Sequence, residues 1–374
     1  MHTVTKARID LSALRHNLSQ ARLLTGEGVE IMPIVKANAY GHGLVPVCEA
    51  LYQSGIRKFG IATIDEGEAL KQKLPDATVV LLGGCLPEQA EAVLDVGLVP
   101  VVYTMDQALA LSTEASRRDK ILPVHIKIDT GMTRLGVRYD EALAFIEKLA
   151  SLRGIGIVGL MTHLATADAL DSSFTMLQLD RFDAAVGASG LSGEVLLHAA
   201  NSAALLRYSR ARYSLVRPGL MLYGMSPTGS CPPGITLRPM LKLVSRIVRT
   251  TNALPGESVG YGQTFVSSQR HRVAIVPIGY ADGFRYSLST QAEVLIGGLR
   301  CPVIGTVSMD MIAVGLRDGC QAKVGDEVVL IGAQGREMIT AHELAFLAQT
   351  LPYEILCGLS ERIDRVYVEG PCDG

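Results

Sequence analysis

Eight short apolar runs recur along the first 224 residues, and amphipathic helical segments fill the intervals between them. The runs are VEIMPIVK (29–36), KFGIATI (58–64), ATVVLLGG (77–84), LVPVVYT (98–104), ILPVHIKID (121–129), GIGIVGLMTHL (154–164), EVLLHA (194–199) and SLVRPGLMLYG (214–224). Their spacing, roughly 20 to 40 residues, is that of repeated βα units. The segments between them, among them DEGEALKQKL, LPEQAEAVLDVG, MDQALALSTEASRRD, DEALAFIEKLASLR and FTMLQLDRFDAAVGASG, have acidic or proline starts and glycine stops, as helices do. A helix also precedes the first run: DLSALRHNLSQARLL (10–24), with Asp10 as its cap. Eight units of this kind predict an α/β fold closed into a (β/α)8 TIM-type barrel. An open doubly wound sheet is the alternative, but no glycine-rich dinucleotide fingerprint follows the first run.

The period breaks near Ser230, at SCPPGIT. Beyond it come β-rich runs separated by DG, GG and GD turn signals: LKLVSRIVRT, HRVAIVPIGY, AEVLIGG, RCPVIGTV, MIAVGL and DEVVLIG. One helix, TAHELAFLAQTL (340–351), starts with Thr340 and has Glu343 three residues on, a capping box. The expectation is therefore a barrel over residues 1–230 and a mainly antiparallel β domain over 231–374, a division that suits a chain of 374 residues.

The net charge of −2 and the lack of a dense Lys/Arg cluster argue against a nucleic-acid partner. No apolar segment approaches the ~20 residues that cross a bilayer, and the N-terminus lacks the apolar core of a signal peptide. The seven cysteines, Cys48, Cys85, Cys231, Cys301, Cys320, Cys357 and Cys372, include no C-x-x-C pair. That pattern predicts neither a disulfide framework nor a metal site, and it suits the cytoplasm.

In a βα barrel the site lies where the strands end. The first run ends in Lys36, with Tyr40 four residues on; the fifth brings Lys127, Asp129 and Arg134; the sixth brings His163. The seventh runs into His198, Asn201 and Ser202, and the eighth into Arg217, Gly219 and Tyr223. Each has a bland reading. A strand-end lysine usually reaches water, Asp129 with Thr130 can begin a turn, and a lone histidine is more often structural than catalytic. Those readings would have to hold independently at the same end of several strands, and convergence outweighs them. The inventory suits an anionic, phosphate-bearing ligand, because barrels bind phosphate beside their last two strands, where Ser202, Gly219 and Leu220 fall. A lysine facing a phosphorylated carbonyl compound is the pairing of Schiff-base chemistry, and pyridoxal 5'-phosphate is the leading candidate.

The segments VKANAYGHG, KIDTGMTRLG, THLATAD, HAANSAA, VRPGLMLYG, VGYGQTF, IGYADG and SMDM, in this order along nearly the whole chain, resemble those of the alanine racemase family. The resemblance implies a pyridoxal-phosphate barrel with a C-terminal β domain into which the first residues fold, and a head-to-tail homodimer whose two copies share each site. It implies interconversion of L- and D-alanine, supplying D-alanine for peptidoglycan, with no nucleic-acid or membrane partner. By motif, Lys36 would hold the cofactor. Tyr40, Ser202, Gly219, Leu220 and Tyr353 would bind its phosphate, with His163 and Asn201 beside it. Arg217 would face the pyridine nitrogen, and Arg134 the phenolic oxygen and the substrate carboxylate. Tyr261, from the second copy, would be the second base, Met309 would offer its backbone N–H to the carboxylate, and Tyr280 would line the entrance. Lys127 stands where relatives carry a carbamate. Ser308 stands where many relatives have cysteine before Met-Asp, which leaves the backbone contact intact.

Racemisation removes a proton from one face of Cα and returns one to the other, so two bases on opposite faces are the simpler design. A tyrosine with its ordinary pKa of about 10 needs cationic neighbours to serve as one of them, and His163 with Arg217 are expected to provide them. Arg217 stays protonated and donates a hydrogen bond but not a proton, which leaves the ring a weaker electron sink. Arg217→Glu is therefore expected to build long-wavelength absorbance in the holoenzyme and to lower turnover. The rival chemistries are racemisation of serine or of many amino acids, and decarboxylation on a related barrel. VGYGQTF favours the racemase.

Overall fold

The computed structural model describes residues 4–371 except Ser192 and Glu194. Two compact units divide the chain: residues 14–39 with 44–238, and residues 40–43 and 239–374 with the first 13.

The first unit is the barrel. Its eight strands are Glu30–Ile31, Lys58–Ile61, Thr78–Leu81, Val99–Val102, Leu122–Asp129, Ile155–Met161, Leu196–His198 and Leu215–Val216. The second to seventh run side by side in parallel, and the eighth pairs with the first. Backbone bonds close the ring at both remaining seams. Val35 N–H donates to Gly60 O at 2.9 Å, Gly60 N–H to Pro33 O at 2.9 Å, Ser214 N–H to Leu197 O at 3.2 Å and Arg217 N–H to Ala200 O at 2.8 Å.

The first strand is shorter than the apolar run 29–36 predicts. Pro33 lacks an N–H, so the regular ladder stops before it and resumes as a single bridge, Ile34 to Gly60. The eighth run also departs from expectation. After Pro218 the chain leaves the sheet and winds into a 3-10 turn, Leu220–Tyr223, where Tyr223 O–H donates to Ile34 O at 2.9 Å. Of the run 194–199, Glu194 lies outside the described residues.

Met32, Val80, Val99, Val101, Met161 and Leu215 fill the barrel interior, one or two from each of four strands and one from the first strand's continuation. Fully burying side chains of this size contributes roughly 1.5–3 kcal/mol each. The helices stand where the patterning places them, at Ile64–Lys73, Ala90–Val96, Met105–Arg117, Ala142–Ala150 and Ser173–Ser189. Thr63 and Glu66 make a capping box at the first of these.

The second unit is built on a ten-stranded sheet. Its order is Arg249–Ala253, His271–Val276, Ile312–Gly315, Leu299–Ile304, Glu293–Ile296, Glu327–Gln334, Leu241–Arg246, Lys6–Asp10 and Asp364–Val368, with Glu337–Ile339 on the flank of Glu327–Gln334. Neighbours are antiparallel apart from Lys6–Asp10 with Asp364–Val368. LKLVSRIVRT, which reads as one strand, is two: the chain turns at Ile247 and Val248, and each half finds different neighbours. The helix at 340–351 ends early, at Leu347, and Pro352 opens a second one to Cys357. Among the described residues no helix is long and apolar enough to cross a membrane.

Candidate active site

Lys36 follows the last bridge of the first barrel strand, and the backbone after it takes an unusual course. Ala37, Asn38, Ala39 and Tyr40 all have φ near +53°. Ala37, Asn38 and Ala39 have ψ between 47° and 53°, which makes this a left-handed turn. For residues with a Cβ this conformation costs roughly 1–2 kcal/mol each. Hydrogen bonds offset it: Ala37 N–H donates to Glu66 Oε1 at 2.6 Å, Ala39 N–H to Val35 O at 2.8 Å and Leu44 N–H to Asn38 Oδ1 at 2.7 Å.

Around this turn the barrel gathers positive charge. Lys127, near the end of the fifth strand, is buried. Desolvation first, then Arg134 and Arg217, push its amine down to about 8. Lys36 adds to that push and Asp129 opposes it. Arg134 is carried by a tight turn in which Asp129 Oδ1 accepts the N–H groups of Gly131 (3.0 Å) and Thr133 (3.1 Å), so the bland reading of Asp129 holds. Burial and the same four cations, Arg217 foremost, hold His163 well below the ordinary imidazole range. His163 is thus held neutral, against the cationic role expected of it.

Arg217 is 2% exposed, and its guanidinium donates to Thr162 O (2.7 Å), His198 O (2.8 Å) and Ala199 O (3.0 Å), and to Nδ1 of His198 (2.9 Å) and of His163 (3.3 Å). Burial pushes it down to about 9, which leaves it protonated at neutral pH. Because His198 accepts at Nδ1, its proton sits on Nε2, 2.7 Å from Nδ1 of His125. His125 points into the barrel from the fifth strand, against Gly159 on the sixth. A Cβ at 159 would fall 2.1 Å from the imidazole Nδ1, so only glycine leaves room. A carboxylate at position 217 would meet the carbonyls of Thr162, His198 and Ala199. Arg217→Glu is therefore also expected to lose on the order of 3 kcal/mol of stability, read as a fall in the denaturant midpoint alongside its absorbance spectrum.

Beside Arg217, the Ser202 hydroxyl oxygen accepts the N–H of Gly219 (2.8 Å) and of Met221 (3.3 Å), which brings the ends of the seventh and eighth strands together and places Leu220 between them. Asn201 caps the helix Ser202–Arg207, its Oδ1 accepting Ala204 N–H at 2.9 Å.

In the second unit, Tyr40 and Tyr353 lie with ring centroids 5.8 Å apart. Burial, then Tyr353 and Cys357, hold the Tyr40 phenol well above its ordinary value, so it is a donor. Elsewhere in this unit three loops are tied together. Thr306 Oγ1 donates to Tyr261 O, Tyr280 N–H to Ser308 O and Ala281 N–H to Met309 O, each at 3.0 Å. They present Tyr261 at 75%, Met309 at 53% and Tyr280 at 45% exposure.

Three residues that strand-end reasoning missed are Glu66, His125 and Gln178. Gln178 is fully buried; its Nε2 donates to Thr130 Oγ1 (3.2 Å) and His163 O (3.1 Å), and its Oε1 accepts Ala165 N–H (2.8 Å). A polar residue on the face shared with Thr175, Leu179 and Phe182 was the available signal.

The lowered pKa of Lys127 has a consequence for stability. In the unfolded chain the amine keeps its proton to about 10.5, whereas folded it gives it up at about 8. Below pH 8 the group opposes folding in full, and between those values the unfolded chain binds more protons, so stability rises with pH. Thermal unfolding across that window is expected to show a rising slope in wild type that Lys127→Met flattens.

The chain matches the family model for the alanine racemase N-terminal domain over residues 9–227 and that for the C-terminal domain over residues 240–367. It is 41% identical over 365 residues to an alanine racemase of Halothermothrix orenii, covering 97% of this chain and 96% of that one. Its structure is similar to that of an alanine racemase of Clostridium difficile 630, with a TM-score of 0.94, 34% identity and coverage of 99% and 97%. It is also similar to an alanine racemase of Bartonella henselae with covalently bound pyridoxal phosphate, with a TM-score of 0.89, 30% identity and coverage of 98% and 100%.

Proposed function

The chain belongs to the alanine racemase family, and from that premise we propose that it interconverts L-alanine and D-alanine with pyridoxal 5'-phosphate as its cofactor. The observation that carries this reading is the gathering of Lys36, Lys127, Arg134 and Arg217 around a neutral His163 at the C-terminal end of the barrel. Four cations gathered at one end of the barrel call for anions, and the cofactor phosphate and a substrate carboxylate are two.

The donor set fits the cofactor. Lys36 offers an amine at a strand end, and Arg217 is a buried cation whose five hydrogen bonds all end on neutral acceptors. Ser202, Gly219 and Leu220 stand at the phosphate position usual in barrels. When bound, the cofactor's ring withdraws electrons from the substrate Cα–H bond and so makes its proton removable.

We assign the remaining roles by motif. Lys36 holds the cofactor and, released from it, is the base on one face of Cα. Tyr261 from a second copy is the base on the other. Tyr40, Ser202, Gly219, Leu220 and Tyr353 bind the phosphate. Asn201 and His163 support the ring and its arginine, Arg217 by donating to the ring nitrogen without giving up a proton. Arg134 and the Met309 N–H hold the substrate carboxylate, and Tyr280 borders the entrance. Lys127, with an amine that is neutral above about pH 8, is suited to take up carbon dioxide as a carbamate that would steady Arg134. The exposure of Tyr261, Met309 and Tyr280 supports a homodimer in which they meet the other copy. We place the enzyme in the cytoplasm, where its D-alanine would serve peptidoglycan.

Purified holoenzyme incubated with single L-amino acids and resolved by chiral chromatography tests this. Alanine is expected to reach an equal mixture of enantiomers fastest. Faster inversion of serine, or release of an amine and carbon dioxide in place of inversion, would contradict the assignment.

A further inference from the structure

Glu66 does two jobs with one carboxylate. Oε2 closes the capping box of the helix Ile64–Lys73 by accepting the N–H groups of Ala62 (2.9 Å) and Thr63 (3.3 Å). A capping box needs only that oxygen. Oε1 instead leaves the helix, crosses to the first barrel strand and accepts Ala37 N–H at 2.6 Å, the shorter and stronger of its bonds. That N–H belongs to the peptide unit whose carbonyl is Lys36's own, so Glu66 fixes the plane from which the lysine side chain departs. It also opens the left-handed turn Ala37–Tyr40, whose two alanines favour ordinary backbone. The bonds that Ala39 N–H makes to Val35 O and Leu44 N–H makes to Asn38 Oδ1 are local in sequence. The bond to Glu66 reaches across 29 residues to a different βα unit.

We infer that Glu66 is a positioning residue for Lys36: its second carboxylate oxygen holds the Lys36–Ala37 peptide in the strained geometry that aims the amine. The inference rests on Lys36 having the role proposed above. Without the carboxylate, the turn relaxes toward right-handed or extended backbone and the amine loses its placement, whereas substrate contacts elsewhere are untouched. The defect should therefore fall on kcat rather than KM.

Three variants separate this from a simple cap. Glu66→Ala holoenzyme is expected to lose about ten- to a hundredfold in kcat with KM within about threefold of wild type, and to exchange the Ala37 amide hydrogen at least about tenfold faster. Glu66→Gln, which keeps a carbonyl oxygen for Ala37, is expected to recover most of both. Thr63→Ala removes the other half of the capping box, where Glu66 N–H donates to Thr63 Oγ1 at 3.3 Å. It is expected to lower the melting temperature while leaving kcat and Ala37 exchange in place. A Glu66→Ala enzyme within about twofold of wild-type kcat, or a Thr63→Ala enzyme that reproduces the loss, would overturn the inference. Borohydride reduction of wild-type holoenzyme followed by peptide mapping checks the underlying reading separately. Cofactor found on a lysine other than Lys36 overturns the proposed function and the purpose assigned to Glu66 with it, whatever Ala37 exchange shows.

Discussion

Lys36→Ala protein is expected to racemise alanine at least about 10⁴-fold more slowly than wild type and to lose cofactor on gel filtration. The size of the effect follows from two losses at one position. In the proposed function the amine is both the covalent anchor of the cofactor and the base on one face of Cα, and none of the other cations replaces it. Arg217 is protonated and locked by its hydrogen bonds, Arg134 is a guanidinium that neither binds a carbonyl carbon nor accepts a proton, and Lys127 sits farther down its strand in a buried position. Folding should survive, because Lys36 is exposed and its side chain supports no core. Unfolding midpoints equal to those of cofactor-free wild type would show that the lost activity is chemical.

Tyr261→Phe is expected to cost about 10²–10⁴ in kcat for racemisation, and unequally for partial reactions. The substitution deletes only an oxygen from a side chain that is 75% exposed, so neither folding nor cofactor binding has reason to change. One base still works. In deuterium oxide the variant should therefore exchange the Cα hydrogen of one enantiomer at a rate near wild type and hardly touch the other. Equal loss for both enantiomers would mean that Lys36 and Tyr261 do not serve opposite faces.

How much of this was legible in the sequence depends on what each residue does locally. Lys36, Lys127, Arg134, His163 and Arg217 stand at strand ends, and an apolar run of fixed period followed by a polar residue marks such positions. The left-handed turn was hard to read because three of its four residues are alanine and tyrosine, and Asn38 by itself is a weak signal of a positive φ. Glu66 was hidden among the acidic residues that open a helix, and its reach to Ala37 depends on two strands lying side by side. His125 reads as a polar interruption in a buried strand until Gly159 and His198 are seen against it. The strand Asp364–Val368 went unread since DRVYV is short and charged at its start, and it pairs with the distant Lys6–Asp10. The roles of Tyr261, Tyr280 and Met309 came from family resemblance alone, because nothing in their local patterning distinguishes them from surface residues.

The central claim is that the amine of one copy works opposite the phenol of another. Mixing Lys36→Ala protein with Tyr261→Phe protein under conditions that allow subunit exchange tests it most directly. Each is inactive alone, but a mixed dimer has one site with both defects and one with neither. Equal amounts are predicted to recover roughly a quarter of wild-type specific activity at full exchange, as expected for two symmetry-related sites built from both copies. If the mixture stays as inactive as its components although exchange is complete, the two groups do not meet across a subunit boundary, and the account fails.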